Sequence, residues 1–248
     1  MGGTAVVVGG GIGGLAAAIG LRRIGWDVTV VERTAILEDA GAGISLAANG
    51  LRALDEIGVG QAVRAASRGQ YTGGTRTPGG RWLSRINGSA LEKAVGAPIV
   101  GIPRSALHRL LRAALPAEAL LTGVQAASVE QTAPDTVRVD CGDTPLYADL
   151  VIAADGIGSS IRGRLFPDHP GPVHSGSTVL RAITDHPVGL ATDFELTWGR
   201  EAEGRVPLRP PARGGAVPEP RAPPPGPPEG GGPAATIGGG CTQDGRAA

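Results

Sequence analysis

Lysine is almost missing from this chain: of 23 basic residues, only Lys93 is not arginine. Set against 23 acidic residues, that leaves a formal charge of zero. Such a balance excludes the broad basic field of a nucleic-acid binder and argues against a polybasic membrane patch. Cysteine is as scarce. Cys141 and Cys241 stand far apart with no CxxC pair, so neither a disulfide framework nor a cysteine-rich zinc site is expected. His108, His169, His174 and His186 show no HxH or HExxH spacing, and no metal site is expected. His108 lies four residues after Arg104 on one helix face and reads as a structural or solvent contact. Ser159 and Ser160 lack a GxSxG elbow, which removes a hydrolase triad. Aromatics make up 3% of the chain, and Trp26, Trp82 and Trp198 are scattered as core fillers rather than as a stacking platform. No apolar run reads as a membrane span. The longest, Ala5 to Leu21, is broken by glycines, and no Lys or Arg precedes Arg22 as a signal peptide would require. The expectation is a cytoplasmic protein in a reducing compartment.

Glycine and proline are abundant instead, 42 and 21 residues. They are unevenly spread: residues 201–248 hold 11 of each, and no aromatic follows Trp198. A segment so poor in large apolar groups cannot offset its ordering entropy, and residues 201–248 are expected to be disordered. Upstream, short apolar strands are expected at Thr4–Val8, Asp27–Glu32 and Leu150–Ala154, with helices at Ile12–Ile24, Asn49–Ile57, Arg104–Leu115 and Ser159–Leu165. A strand-like stretch, Tyr71–Ile86, contains a Pro78-Gly79-Gly80 turn. Further strands are expected at Val124–Gln131, Thr136–Cys141, Val173–Thr184 and Glu195–Trp198. The alternation at the start predicts a parallel sheet with covering helices; the later strands suggest a second, more antiparallel layer.

The strongest chemical signal is Gly9-Gly10-Gly11-Ile12-Gly13-Gly14, between the first strand and the first helix. Gly9, Gly11 and Gly14 fall at GxGxxG spacing. The first permits a tight strand-to-helix turn, the second lets a pyrophosphate approach the backbone, and the third lets helix and strand pack closely. A helix N-terminus then offers N–H groups and partial positive charge to phosphates. Glu32 ends the next strand, where a carboxylate can accept both hydroxyls of an adenosine ribose. Strand, glycines, helix, strand and acid together specify a dinucleotide site. Periodicity does not decide between NAD and FAD.

The opening VVVGGGIGGLAAAIGLRRIGWDVTVVER resembles that of FAD-dependent monooxygenases of the para-hydroxybenzoate hydroxylase type, and so does GAGISLAANGLRALDEIGV at Gly41–Val59. Ile102–Arg109 is similar to the family's Arg-x-x-Leu helix start, and ADGIGSSIR, within Asp149–Arg162, to its DG motif. The resemblance covers about residues 4–208, through substrate-domain strands near PGPVHSGSTVLRAI and ELTWGREAEGRVPL. It implies an α/β fold: a Rossmann-like FAD-binding domain with a parallel sheet (1–70 and 98–168), interleaved with a partial β-rich substrate domain (71–97 and 169–200), then the tail. It also implies roles. Gly9, Gly11 and Gly14 hold the FAD pyrophosphate and Glu32 the adenosine ribose. Arg33 lies along the adenine, Arg104 near the ribityl and phosphates, and the backbone of Val124 meets the adenine. Asp155 and Gly156, the DG motif, are linked to the pyrophosphate and to NAD(P)H use. The implied chemistry is NAD(P)H-dependent hydroxylation, with O2, of a small aromatic or related organic substrate; no side chain is assigned as a catalytic acid or base.

The chain also departs from the family. Its Gly-Asp-x-x-His-x-x-x-Pro motif is absent, and Gly142-Asp143, followed by Thr144-Pro145, is no substitute. The tail reads like a GC-rich gene in another frame, so a frameshifted or truncated family member is expected, with a natural disordered tail as the alternative. Two other functions compete: a non-catalytic FAD- or ADP-binding fragment, and an NAD-dependent dehydrogenase.

Overall fold

The computed structural model describes residues 2–36, 43–142, 144–180, 190 and 192–199, and the backbone of Glu203–Val206 and Ala234–Ile237. In chain order its elements are β1 (Thr4–Val8), α1 (Ile12–Arg23), β2 (Asp27–Glu32), β3 (Gly43–Leu46), α2 (Ala48–Glu56), α3 (Gly60–Ala66), β4 (Arg68–Gly69), β5 (Thr72–Arg76), β6 (Trp82–Asn87) and α4 (Gly88–Val95). There follow β7 (Val100–Pro103), α5 (Arg104–Ala113), β8 (Leu120–Thr122), β9 (Ser128–Ala133), β10 (Thr136–Asp140), β11 (Leu146–Ala148), β12 (Leu150–Ala153), α6 (Ser160–Leu165), β13 (Ser177–Leu180), β14 (Phe194–Trp198), β15 (Glu203–Val206) and β16 (Ala234–Ile237). The chain divides into two compact units.

The first unit comprises Met1–Asp39, Leu54–Gly60 and Leu107–Val173. Its centre is a four-stranded sheet in the order β12-β1-β2-β8, parallel throughout. A strand with both faces covered should read as an unbroken apolar run, and Ala5–Val8 is buried without interruption. Val6, Val8 and Val31 on one face join Val139 and Ala148 of an antiparallel β11-β10-β9 sheet and Ile161 of α6 in one core cluster. α1 lies against β1, β2 and β12. It buries Gly14, Leu15, Ala18 and Ile19, one stripe at helical spacing. Arg22 and Arg23 sit in its last turn, where the helix dipole favours cations.

The second unit comprises Ala40–Ala53, Gln61–Ala106 and His174–Ala248. It holds an antiparallel β3-β7-β4 sheet and a mixed six-stranded sheet in the order β13-β16-β15-β14-β5-β6. Expected strand-like residues 71–86 form the β5–β6 hairpin, whose turn closes with the Thr77 N–H donating to Arg81 O at 2.9 Å. Close approach explains the paired glycines of β5: a Cβ on Gly73 would overlap Phe194, and one on Gly74 would overlap Ser84 O. Asp193 Oδ2 accepts from the N–H groups of Tyr71 and Thr72 at 2.9 and 2.7 Å, and Arg76 pairs with buried Glu195 from the neighbouring strand.

Residues 43–53, 61–70 and 98–106, expected with the nucleotide domain, fall within this second compact unit, and residues 37–42 lie outside the described residues. Within residues 201–248 two short backbone strands are described. Glu203–Val206 pairs antiparallel with β14, and Ala234–Ile237 pairs parallel with β13, so that their backbone groups find partners in the sheet ladder. The rest of 201–248 lies outside the described residues, as do Arg181–Thr184 of the strand expected at Val173–Thr184 and Asp143 of the Gly142-Asp143 pair. Among the described residues no helix is long and apolar enough to cross a membrane, and no cluster of His, Cys, Asp and Glu could hold a metal.

Candidate dinucleotide site

The site grows from the turn between β1 and α1. Gly9 has φ +113°, a conformation closed to most L side chains. Its N–H donates to Val31 O at 2.8 Å, and a Cβ there would overlap Ala154 O. Gly14 sits one turn into the helix, and a Cβ on it would overlap Gly9 O. These two glycines are required by the fold. Gly11 is different: its φ of −72° suits any residue, and a Cβ built on it meets nothing within 4 Å. Its missing side chain leaves space directly before the N-terminus of α1. The first N–H groups of a helix have no intrahelical acceptor, and no acidic residue occupies this helix's first turn. The turn therefore offers N–H donors beneath open space, with no acidic side chain in the helix's own first turn to occupy them, which is what a phosphate needs.

Glu32 ends β2 with both carboxylate oxygens engaged. Oε2 accepts from Gly10 N at 2.7 Å and Oε1 from Thr34 N at 2.8 Å. A carboxylate has about four lone-pair sites, so each oxygen can still accept a hydroxyl. Burial pushes the Glu32 pKa up, but N–H donation from Thr34 and Gly10, the Thr34 hydroxyl and the Arg33 charge together hold it below the ordinary 4.5. Asp149 on the same unit moves in the same direction, because the Thr4 N–H and hydroxyl donate to its Oδ2. A carboxylate whose folded pKa is depressed stabilises the fold at pH above its unfolded value; that contribution is lost as pH falls through the folded value. Stability should therefore decline on acidification below about pH 4.5. Urea midpoints between pH 7 and 3 should fall less steeply for Glu32→Gln and Asp149→Asn than for the parent; parallel curves would contradict the assignment.

The other expected residues are placed as follows. Asp155 follows β12 and adjoins Gly9, whose Cβ position is 3.1 Å from Asp155 N. Its Oδ2 accepts from Ile161 N at 3.4 Å, while its buried Oδ1 has no hydrogen-bond partner among the described residues. A buried carboxylate oxygen without a donor is costly, and a ligand hydroxyl or a water would supply one, whereas a pyrophosphate, which only accepts, would not. Gly156 turns the chain at φ +86°. Beside it a cleft of about 230 Å³ is lined by Ser159, Arg162, Phe166 and His169, among others. Val124 is adjacent to Glu32, but its N–H donates to Glu32 O at 3.0 Å, so it has only its carbonyl left for a ligand. Arg33 is exposed beside the acid. Arg104 opens α5, exposed, within the second unit. The structure thus gathers Gly9, Gly11, Gly14, Glu32, Val124, Asp155 and Gly156 in one unit, with Arg104 in the other.

One site residue was not assigned from the sequence. The Nε2–H of His108 donates to the Gly10 carbonyl at 2.7 Å. The helical spacing of Arg104 and His108 put the imidazole on a face of α5; a contact between residues so far apart in the chain has no local signal.

A family model described as "FAD binding domain" matches residues 3–214. The chain belongs to that family, and FAD is the cofactor this membership assigns to the site. Curated relatives include aurachin C monooxygenase/isomerase of Stigmatella aurantiaca, 33% identical over 79% of this chain and 51% of the relative. Another is 3-hydroxybenzoate 6-hydroxylase of Klebsiella oxytoca, 35% identical over 73% of this chain and 46% of the relative. The chain spans about half the length of the curated relatives it matches. Among solved structures, Klebsiella pneumoniae HpxO complexed with FAD and uric acid superposes with TM-score 0.70 at 22% identity, over 86% of this chain and 54% of HpxO, and shares the fold. A structure of 2-methyl-3-hydroxypyridine-5-carboxylic acid oxygenase gives 0.56 at 32% identity, over 67% of this chain and 43% of that protein.

Proposed function

We propose that the chain forms the cofactor-holding part of an NAD(P)H-dependent flavin monooxygenase acting on a small aromatic substrate. The family match over residues 3–214 carries the reading, because it spans the loop, the acid and the Asp155 turn that the fold assembles. In this reading the α1 N-terminus and Gly11 take the pyrophosphate, and Glu32 takes the ribose hydroxyls. The Val124 carbonyl and Arg33 border the adenine, Asp155 and Gly156 border the pyrophosphate, and Arg104 neutralises phosphate charge as a permanent cation. The first unit serves the cofactor and the β-rich second unit the substrate. Bound FAD supplies the redox chemistry, reduction by NAD(P)H and activation of O2; the residues of this chain bind it and orient it. The names of the 3-hydroxybenzoate 6-hydroxylase and of the 2-methyl-3-hydroxypyridine-5-carboxylic acid oxygenase support an aromatic or heteroaromatic substrate.

A narrower reading is a unit that holds FAD without turning over; each residue assigned to the site here binds or orients the cofactor, and none is assigned as a catalytic acid or base. One experiment separates them. The purified chain is titrated with FAD, following quenching of flavin fluorescence, and then given NADH or NADPH with a panel of hydroxylated aromatic acids. FAD binding with substrate-dependent NAD(P)H consumption and an oxygenated product is the expected result for the full reading. Binding without turnover leaves the narrower one, and binding of NAD in preference to FAD would overturn both.

A further inference from the structure

The geometry points to His108 as a positioning residue that aims the phosphate-facing amide of the glycine loop, an inference resting on the dinucleotide reading of this site. Three consecutive glycines, Gly9 to Gly11, give the turn much backbone freedom. That freedom is a liability at an anion site, because a peptide flip replaces an N–H by a carbonyl oxygen where negative charge must sit. Gly10 has no side chain with which to resist, yet its backbone is held at both ends. Its N–H donates to Glu32 Oε2 at 2.7 Å, and its C=O accepts from His108 Nε2 at 2.7 Å. Since a carbonyl can only accept, the proton must be on Nε2.

The consequence follows from peptide planarity. In a trans peptide the C=O of one residue and the N–H of the next point in opposite directions. Holding the Gly10 carbonyl toward His108 therefore turns the Gly11 N–H away from α5. Gly11 is also the residue beside which a Cβ finds open space, and it is the N-cap of α1. His108 touches no ligand in this scheme. It acts through one backbone group, from a helix remote in sequence, and its effect falls on the negatively charged part of whatever binds.

That selectivity is the test. Affinities for FAD, ADP and adenosine are measured for the full chain and for His108→Leu, His108→Gln and His108→Asn, with thermal midpoints recorded without ligand. Glutamine places an amide N–H at about the reach of Nε2; asparagine places it nearer to Nδ1. His108→Leu and His108→Asn should weaken ADP and FAD by roughly five- to tenfold, the worth of about one hydrogen bond. His108→Gln should restore them, and adenosine, which lacks phosphate, should bind all four proteins alike. If His108→Leu does not fold, the contrast between Gln and Asn decides. Unchanged ADP affinity in the Leu and Asn variants, or an equal loss for adenosine, would overturn the inference and leave the dinucleotide reading standing. A parent chain that binds neither FAD nor ADP would overturn the reading and the inference together.

Discussion

Glu32→Ala should weaken FAD binding by at least an order of magnitude. Two contributions add. The carboxylate is placed to accept ribose hydroxyls, and hydrogen bonds to a charged group contribute about 1.5–3 kcal/mol each. The same oxygens also hold the loop, through Gly10 N and Thr34 N. Gly10 is buried, so its N–H would lose its partner without gaining water, at a cost of about 1–3 kcal/mol. The variant should therefore also melt earlier without ligand. A fluorescence titration with FAD together with a thermal melt checks both. An unchanged FAD titration would remove Glu32 from the ribose, and an unchanged melt would remove it from the loop.

The second large effect separates two glycines of the same motif. Gly11→Val should leave the fold intact, since its backbone is in an ordinary region and its Cβ position is empty. It should nonetheless reduce FAD and ADP affinity by about 100-fold or more, because a branched side chain would stand between the phosphates and several N–H donors of that strength. Gly14→Ala should do the reverse in kind: its Cβ would overlap Gly9 O, and relieving the overlap must move backbone, typically at about 1–3 kcal/mol. Circular dichroism melts and ADP titrations of the two variants should therefore rank them oppositely. A Gly11→Val protein that binds ADP as the parent does would move the phosphate site elsewhere.

What could be read from the residues follows from range. β1, α1 and β2 are specified by patterns a few residues long: an unbroken apolar run, a glycine turn, a β-branched run closed by an acid. β5 and β6 were legible through the Pro78-Gly79-Gly80 turn. The short strands β3, β7 and β11 were not, because three or four residues carry no period and their pairing is tertiary. The helices α3 and α4 also escaped, although Asn87 caps α4 by accepting from Ala90 N at 2.9 Å and Gly96 ends it at φ +80°. Within the site, Gly9, Gly11, Gly14 and Glu32 announce themselves by spacing. The His108 contact and the spent N–H of Val124 exist only once distant segments meet.

The central strand has a bearing on how the chain folds in time. β1 lies between β2, which follows it closely, and β12, where Ala5 is in register with Leu150. A ribosome adding ~5–20 residues per second releases the first strand well before its second neighbour exists. Until then one edge of an unusually apolar strand is open, and closing so long a loop is entropically slow. Refolding of the cofactor unit should accordingly be slow for its size, and the nascent chain needs shielding from aggregation until β12 emerges.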